Sequence, residues 1–116
     1  HLSKDHFRSM NSSVCLTSSD RYSYGILLKD IQNIDQIEIS VWYFGPDNCA
    51  IVIDNKENLY LKSERIETTD ENGWKKIVLK CLLKENQKLP STIIYLWNSG
   101  NTPVYFDDLQ IIKRKY

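Results

Sequence analysis

Ile37-Glu38-Ile39-Ser40-Val41-Trp42-Tyr43-Phe44 is the stretch on which the fold turns. Successive side chains of an extended chain point to opposite sides. Ile37, Ile39, Val41 and Tyr43 therefore share one face, and Glu38, Ser40, Trp42 and Phe44 share the other. Gly45-Pro46-Asp47-Asn48 ends the strand, because Pro donates no ladder hydrogen bond and Gly and Asn tolerate positive φ. Downstream, Ala50–Asp54 and Leu59–Ser63 predict a hairpin around the polar loop Asn55-Lys56-Glu57-Asn58. A polar break over Glu67–Gly73 precedes Trp74–Leu83, where Ile77, Leu79 and Cys81 alternate with Lys76, Val78 and Lys80. Thr92–Asn98 and Val104–Ile112 follow, joined by Ser99-Gly100-Asn101-Thr102-Pro103. Upstream, Ser12–Thr17 and Tyr22–Leu28 read as a paired start joined by Ser18-Ser19-Asp20-Arg21.

The expectation is eight strands, with helix confined at most to Ser3–Ser9 or Lys84–Lys88 because no apolar stripe of helical period persists. Such a set is accommodated by an all-β, two-sheet antiparallel sandwich, and a jelly roll is the economical wiring. An immunoglobulin-like sandwich lacks its marker, since the Trp and Tyr spacing around Cys15 and Cys81 does not match. Expected core residues are Ile37, Ile39, Val41, Ile77, Leu79, Leu109 and Ile111.

At 116 residues the chain has the size of one domain. The division expected is a polar lead-in over 1–11 with room for a first strand, a sandwich over 12–112 and a basic tail over 113–116. Lys plus Arg equals Asp plus Glu at 15 each, so no single-sign field draws the chain to nucleic acid or to an anionic membrane. No run approaches the roughly 18 apolar residues of a spanning helix, so no membrane span is expected. An opening at His1 reads as a mature or excised piece. Cys15, Cys49 and Cys81 are an odd number without a CxxC, which predicts small buried hydrophobes with free thiols, or at most one intrachain disulfide.

Catalytic chemistry is not legible. His1 and His6 lie in the lead-in, and no GxSxG, HExxH or phosphate-cradling glycine loop occurs. Asp107 and Asp108 are adjacent, so in a regular strand they face opposite sides and cannot flank one glycosidic bond. Glu38, Asp54 and Glu64 are scattered and read as solvated strand faces. Binding chemistry is better supplied. A sugar presents apolar C–H faces and hydroxyls, which suit an exposed aromatic beside amides and carboxylates. Trp42 and Phe44 share a face with Glu38, Tyr60 with Lys62, and Tyr95 and Trp97 with Ile93, although aromatics at such positions also serve cores. Asn98, Asn101 and the loop 45–48 add amides and hydroxyls that serve turns equally well. The sequon Asn11-Ser12-Ser13 and the cluster Lys113-Arg114-Lys115 carry no function in this reading.

Four pieces carry a family resemblance: Tyr22-Ser23-Tyr24-Gly25-Ile26, Ile37–Tyr43 (IEISVWY), Gly73-Trp74-Lys75-Lys76-Ile77, and Ile93–Ile111 with IIYLWN followed by VYFDDLQI. In order and spacing these resemble carbohydrate-binding modules of the galactose-binding-like jelly-roll class. The resemblance implies a non-catalytic accessory domain of a larger secreted or surface glycan-processing protein, working outside the cell, at its surface or in the periplasm. Its partners would be a polysaccharide or oligosaccharide and the other domains of the same polypeptide. Trp42, Tyr60, Tyr95, Trp97, Asn98 and Asn101 would be the ligand contacts. It also implies a structural calcium ion held in part by Asp107 or Asp108, with Asp5 nearest to the family's acidic residue on the first strand. Asp107 is preferred as ligand because a regular strand would place it on the buried face with Leu109 and Ile111. The alternative expectation is a structural spacer or protein-interaction sandwich without a sugar site.

Overall fold

A computed structural model describes residues 2–3, 13–23, 25–56 and 58–115 of the chain. Its elements are β1 (Leu2–Ser3), β2 (Ser13–Leu16), β3 (Ile26–Leu27), β4 (Gln36–Phe44), β5 (Cys49–Asp54), β6 (Tyr60–Ser63), β7 (Ile66–Thr69), β8 (Lys75–Leu82), a 3-10 turn at Glu85–Gln87, β9 (Ile93–Asn98) and β10 (Val104–Arg114). They form an all-β, two-sheet antiparallel sandwich. One sheet has six strands in the order β1-β2-β10-β4-β8-β7, and the other has four in the order β3-β9-β5-β6. The chain changes sheet repeatedly, so strands distant in sequence pair, as β10 does with β4 over Tyr105–Arg114.

The alternation of the central strand is realised as expected. Ile37, Ile39, Val41 and Tyr43 are buried, paired in register with β8, whose Ile77, Leu79 and Cys81 are also buried. Ile51 and Ile53 of β5 and Ile94 and Leu96 of β9 close the core from the facing sheet. Each such side chain stabilises by about 1.5–3 kcal/mol on burial. The three cysteines are reduced, with Cys49 and Cys81 buried, as the odd count and spacing suggested. Burial pushes the Cys49 thiol up to about 12.

Several expectations change. Ten strands are present among the described residues rather than eight, because Leu2–Ser3 and Ile66–Thr69 also pair. The second of these lies partly inside the expected polar break; it is an exposed edge whose side chains need no apolar pattern. The paired start is not formed. Thr17 and Asp20 close a turn by reciprocal backbone bonds of 3.0 and 3.2 Å, but β2 joins the six-stranded sheet and β3 the four-stranded one. Only Ile26–Leu27 of the expected strand over 22–28 is regular, with Tyr22 held as a single bridge to Trp97. Of the two places offered for helix, Lys84–Lys88 contains the 3-10 turn. Ser3 of the other is in β1, and the rest of that segment, with Asp5 and His6, lies outside the described residues.

The most consequential change is in β10. Its pairing with β4 runs from Tyr105↔Phe44 to Asp107↔Trp42 and resumes at Gln110↔Ser40, so β10 carries one extra residue there. Asp108 takes up the insertion with a left-handed φ of 55°. Ahead of the bulge Val104 and Phe106 point inward; beyond it Ile111, opposite Ile39, packs against the core. Leu109 falls within the bulge at 37% exposure and leaves the expected core. Asp107 stands opposite Trp42, on the outer face, and not with Ile111 on the buried one.

Candidate binding face on the four-stranded sheet

Because Ile94 and Leu96 of β9 point inward, Ile93, Tyr95 and Trp97 point outward. The neighbouring strand obeys the same rule, with Cys49, Ile51 and Ile53 in the core and Ala50, Val52 and Asp54 outside. Register then brings the outward residues together: Trp97 lies opposite Ala50, Tyr95 opposite Val52, Val52 opposite Lys62, and Asp54 opposite Tyr60. Ala50 and Val52 are 1% and 0% exposed although they face outward, because the larger side chains around them cover them. The strip is therefore built, with its small residues as a floor and aromatic rings above.

Tyr22 completes it. Arg21 O accepts a 2.8 Å bond from Asn98 N, and Ser23 N donates to Leu96 O at 3.0 Å, while Leu96 N donates to Ser23 Oγ at 2.8 Å. These bonds lay residues 21–23 beside β9 and set the Tyr22 ring parallel to Trp97, at 6.1 Å and 3°, and edge-on to Tyr95, at 5.7 Å and 72°. Arg21 pins the segment from the other side, donating to Gly100 O at 2.8 Å, Asn98 O at 3.4 Å and Asn101 Oδ1 at 3.1 Å. Lys62 Nζ lies 5.1 Å from the Trp97 ring centre and 3.5 Å from Glu64. Burial, with lesser help from Tyr60, Asp54 and Tyr22, raises the Tyr95 phenol above its ordinary range. Tyr22 and Tyr60 are 53% and 57% exposed, so rings at both ends of the strip meet solvent. The Trp97 indole N–H is buried without an acceptor among the described residues.

Tyr60 also borders an open hollow of about 460 Å³ lined by Asp54, Lys56, Asn58 and Leu59. Its shape is set by the β5–β6 loop. Asn55 Oδ1 accepts from Asn58 N at 2.8 Å and Leu59 N at 2.9 Å, Asp54 Oδ1 accepts from Lys56 N at 2.6 Å, and Lys56 adopts φ 68°. Asn58 Nδ2 donates to Asn86 O at 2.7 Å, tying the loop to the 3-10 turn.

The expected site residues divide accordingly. Tyr60, Tyr95 and Trp97 come together. Trp42 does not join them: it stands on the outer face of the six-stranded sheet, between Lys76 and Asp107 in register. Asn98 is fully buried, donating to Leu16 O and Thr102 O at 2.9 Å each and accepting from Gly100 N at 3.0 Å, so it holds the loop together. Asn101 is exposed and partners Arg21. Lys62 joins the face with Tyr60, as alternation suggested, whereas Tyr22 and Asp54 belong to it without having been expected there; the signal available was the short Tyr22-Ser23-Tyr24 run, whose pairing partner is remote in sequence.

A second polar cluster sits at the end of the sandwich. Tyr43 Oη donates to Asp47 Oδ1 at 2.6 Å, and Lys75 Nζ approaches the same oxygen at 2.5 Å. Lys75 first and Tyr43 second hold the Asp47 carboxyl below its usual range, whereas burial, then the Asp47 bond, pushes the Tyr43 phenol far up. The cluster anchors the loop after β4 and leaves no reactive base. Asp107 Oδ1 accepts from Asp108 N at 2.8 Å, which shapes the bulge. Among the described residues no three His, Cys, Asp or Glu side chains gather around a common metal position. No helix among them is long and apolar enough to cross a membrane. Comparison with protein-family models, with curated proteins and with solved structures gives no match to this chain.

Proposed function

We propose that this chain is a non-catalytic carbohydrate-binding domain of the jelly-roll, galactose-binding-like kind, and that its ligand lies on the outer face of the four-stranded sheet. The observation that supports this reading is the strip of Tyr22, Trp97, Tyr95 and Tyr60, with Tyr22 and Tyr60 meeting solvent at its ends and a polar hollow beside it. Aromatic faces take the apolar C–H faces of sugars, and nearby amide and carboxylate groups take hydroxyls. The domain would act outside the cytoplasm as an accessory unit of a glycan-processing polypeptide. Glycan-array binding by the chain, lost in Trp97→Ala and retained in Trp42→Ala, is the expected result. Uniform silence across the array favours the spacer or protein-interaction sandwich instead, and turnover of a chromogenic glycoside would contradict the non-catalytic assignment.

The calcium ion implied by the resemblance would take Asp107 or Asp108 as a carboxylate ligand. Among the described residues no third acidic side chain joins them, so the other oxygens would come from backbone carbonyls, water or residues outside that set, where Asp5 lies. Calcium at a hundredfold excess over its dissociation constant would then stabilise the fold by about 2.7 kcal/mol. An unchanged melting temperature on adding calcium to metal-stripped protein removes the ion from the proposal.

A further inference from the structure

The aromatic strip has a direction. Tyr22 and Trp97 occupy one register level of the four-stranded sheet, Tyr95 the next, and Tyr60 with Asp54 the last, while the path from Tyr22, beside β9, to Tyr60, on β6, also crosses the sheet. The rings therefore form a diagonal rather than a cluster. Strand spacing makes it about 14 Å across the sheet, and residue rise makes it about 13 Å along the strands. At the Tyr60 end it opens into the hollow of Asp54, Lys56 and Asn58. Resting on the glycan-binding reading above, we infer that the diagonal binds an extended, uncharged oligosaccharide lengthwise, with internal rings over Tyr22 and Tyr95 and one further ring, past Tyr60, hydrogen-bonded in the hollow.

Three features select this ligand. The strip lies on the face of the sheet, over β9 and β5, whose main-chain groups are paired with strands on both sides, so a peptide laid along it gains no main-chain bonds as it would at the edge strand β6. Charge on and beside the strip is balanced, Lys56 and Lys62 against Asp54 and Glu64, and Lys62 is already engaged with Glu64 and the Trp97 ring. A polyanion thus finds no free cationic row. Finally, the polar groups are concentrated at one end. A monosaccharide can satisfy the hollow or stack on a ring, whereas only a chain of several rings does both.

Calorimetric titration of the full chain with cello-, xylo- and manno-oligosaccharides from one to six rings, and with polygalacturonate, tests this. In at least one neutral series affinity should climb with length and level off at about four rings, polygalacturonate should bind more weakly, and Tyr22→Ala and Tyr60→Ala should each weaken the long oligomers about tenfold, equivalent to about 1.4 kcal/mol. Asp54→Asn should weaken the long oligomers too, and Tyr60→Phe, which keeps the ring, should stay within about threefold of the parent, about 0.7 kcal/mol. Circular dichroism identifies any variant that has failed to fold, and Tyr60→Phe and Asp54→Asn then carry the test. Equal affinity for one ring and six, indifference to Asp54→Asn, or tighter binding of polygalacturonate overturns the inference while leaving glycan binding intact. Absence of binding to every glycan overturns both.

Discussion

The two outer faces of the sandwich carry similar residue types and arrange them differently. On the six-stranded sheet, register sets charges around Trp42, which stands between Lys76 and Asp107, while Glu38 is 3.7 Å from Lys80 and Lys76 is 3.6 Å from Glu67. Phe44, opposite Tyr105 in register, also lies 5.6 Å from Trp74, which is buried, so the rings on that face run into the edge of the core. On the four-stranded sheet, rings meet rings over a floor of Ala50 and Val52. Aromatic content alone therefore does not define a platform. Cross-strand neighbours do, because pairs directly opposite or diagonal in a sheet are the ones within reach.

The difference depends on register, and the β10 bulge is where register is most open to attack. Phe106, fully buried just ahead of it, should cost about 3–5 kcal/mol when replaced by Ala, whereas Leu109→Ala inside it should cost about 0.5 kcal/mol. Urea unfolding of the two variants checks this. The reverse order, a large loss for Leu109→Ala and a small one for Phe106→Ala, would mean that the strand continues regularly, with Leu109 and Asp107 inside and Phe106 outside.

A smaller effect sharpens the contrast through pH. Cys49, Tyr43 and Tyr95 have pKa values raised by burial, so the unfolded chain loses their protons at lower pH than the folded one. Their contribution is fully present below the unfolded values of 9.0 for Cys and 10.0 for Tyr and is lost as pH rises past them. Asp47 works in the opposite direction: its carboxyl is lowered, so its contribution is present above the unfolded value of 3.8 and is lost as pH falls through the folded one. Melting temperature should therefore fall on both limbs, with Tyr43→Phe flattening the alkaline limb and Asp47→Asn the acid limb. Tyr95→Phe should also flatten the alkaline limb, and no effect there would mean that its phenol is not covered by the strip.

The smallest expected change lies on the six-stranded face. Lys80→Ala removes an ion pair whose lysine is 60% exposed and should shift stability by less than about 1 kcal/mol. A larger loss, measured by the same unfolding, would mean that charged pairs rather than the core organise that face.

Period-two alternation was enough to place β4, β5, β8, β9 and most of β10, and with them Ile37, Ile39, Val41, Ile77 and Leu79 of the core. That much is local, because a strand's two faces follow from chain geometry before any partner is chosen. The same alternation put Tyr95 and Trp97 on one face, and Tyr60 with Lys62, without deciding which face was the outer one. It was silent on which pairs would be neighbours. Tyr22 reaches Trp97 across 75 positions of sequence, and Asp107 meets Trp42 across 65, through pairings that no local pattern encodes. The bulge at Asp108 escaped for a related reason: one extra residue in β10 reverses its faces only relative to a partner strand, and Asp-Asp-Leu reads as well for a straight strand as for a bulged one. Alternation in the sequence thus determined which side chains share a face, and strand pairing decided which face is buried and which residues stand together, since contact across a sheet depends on register.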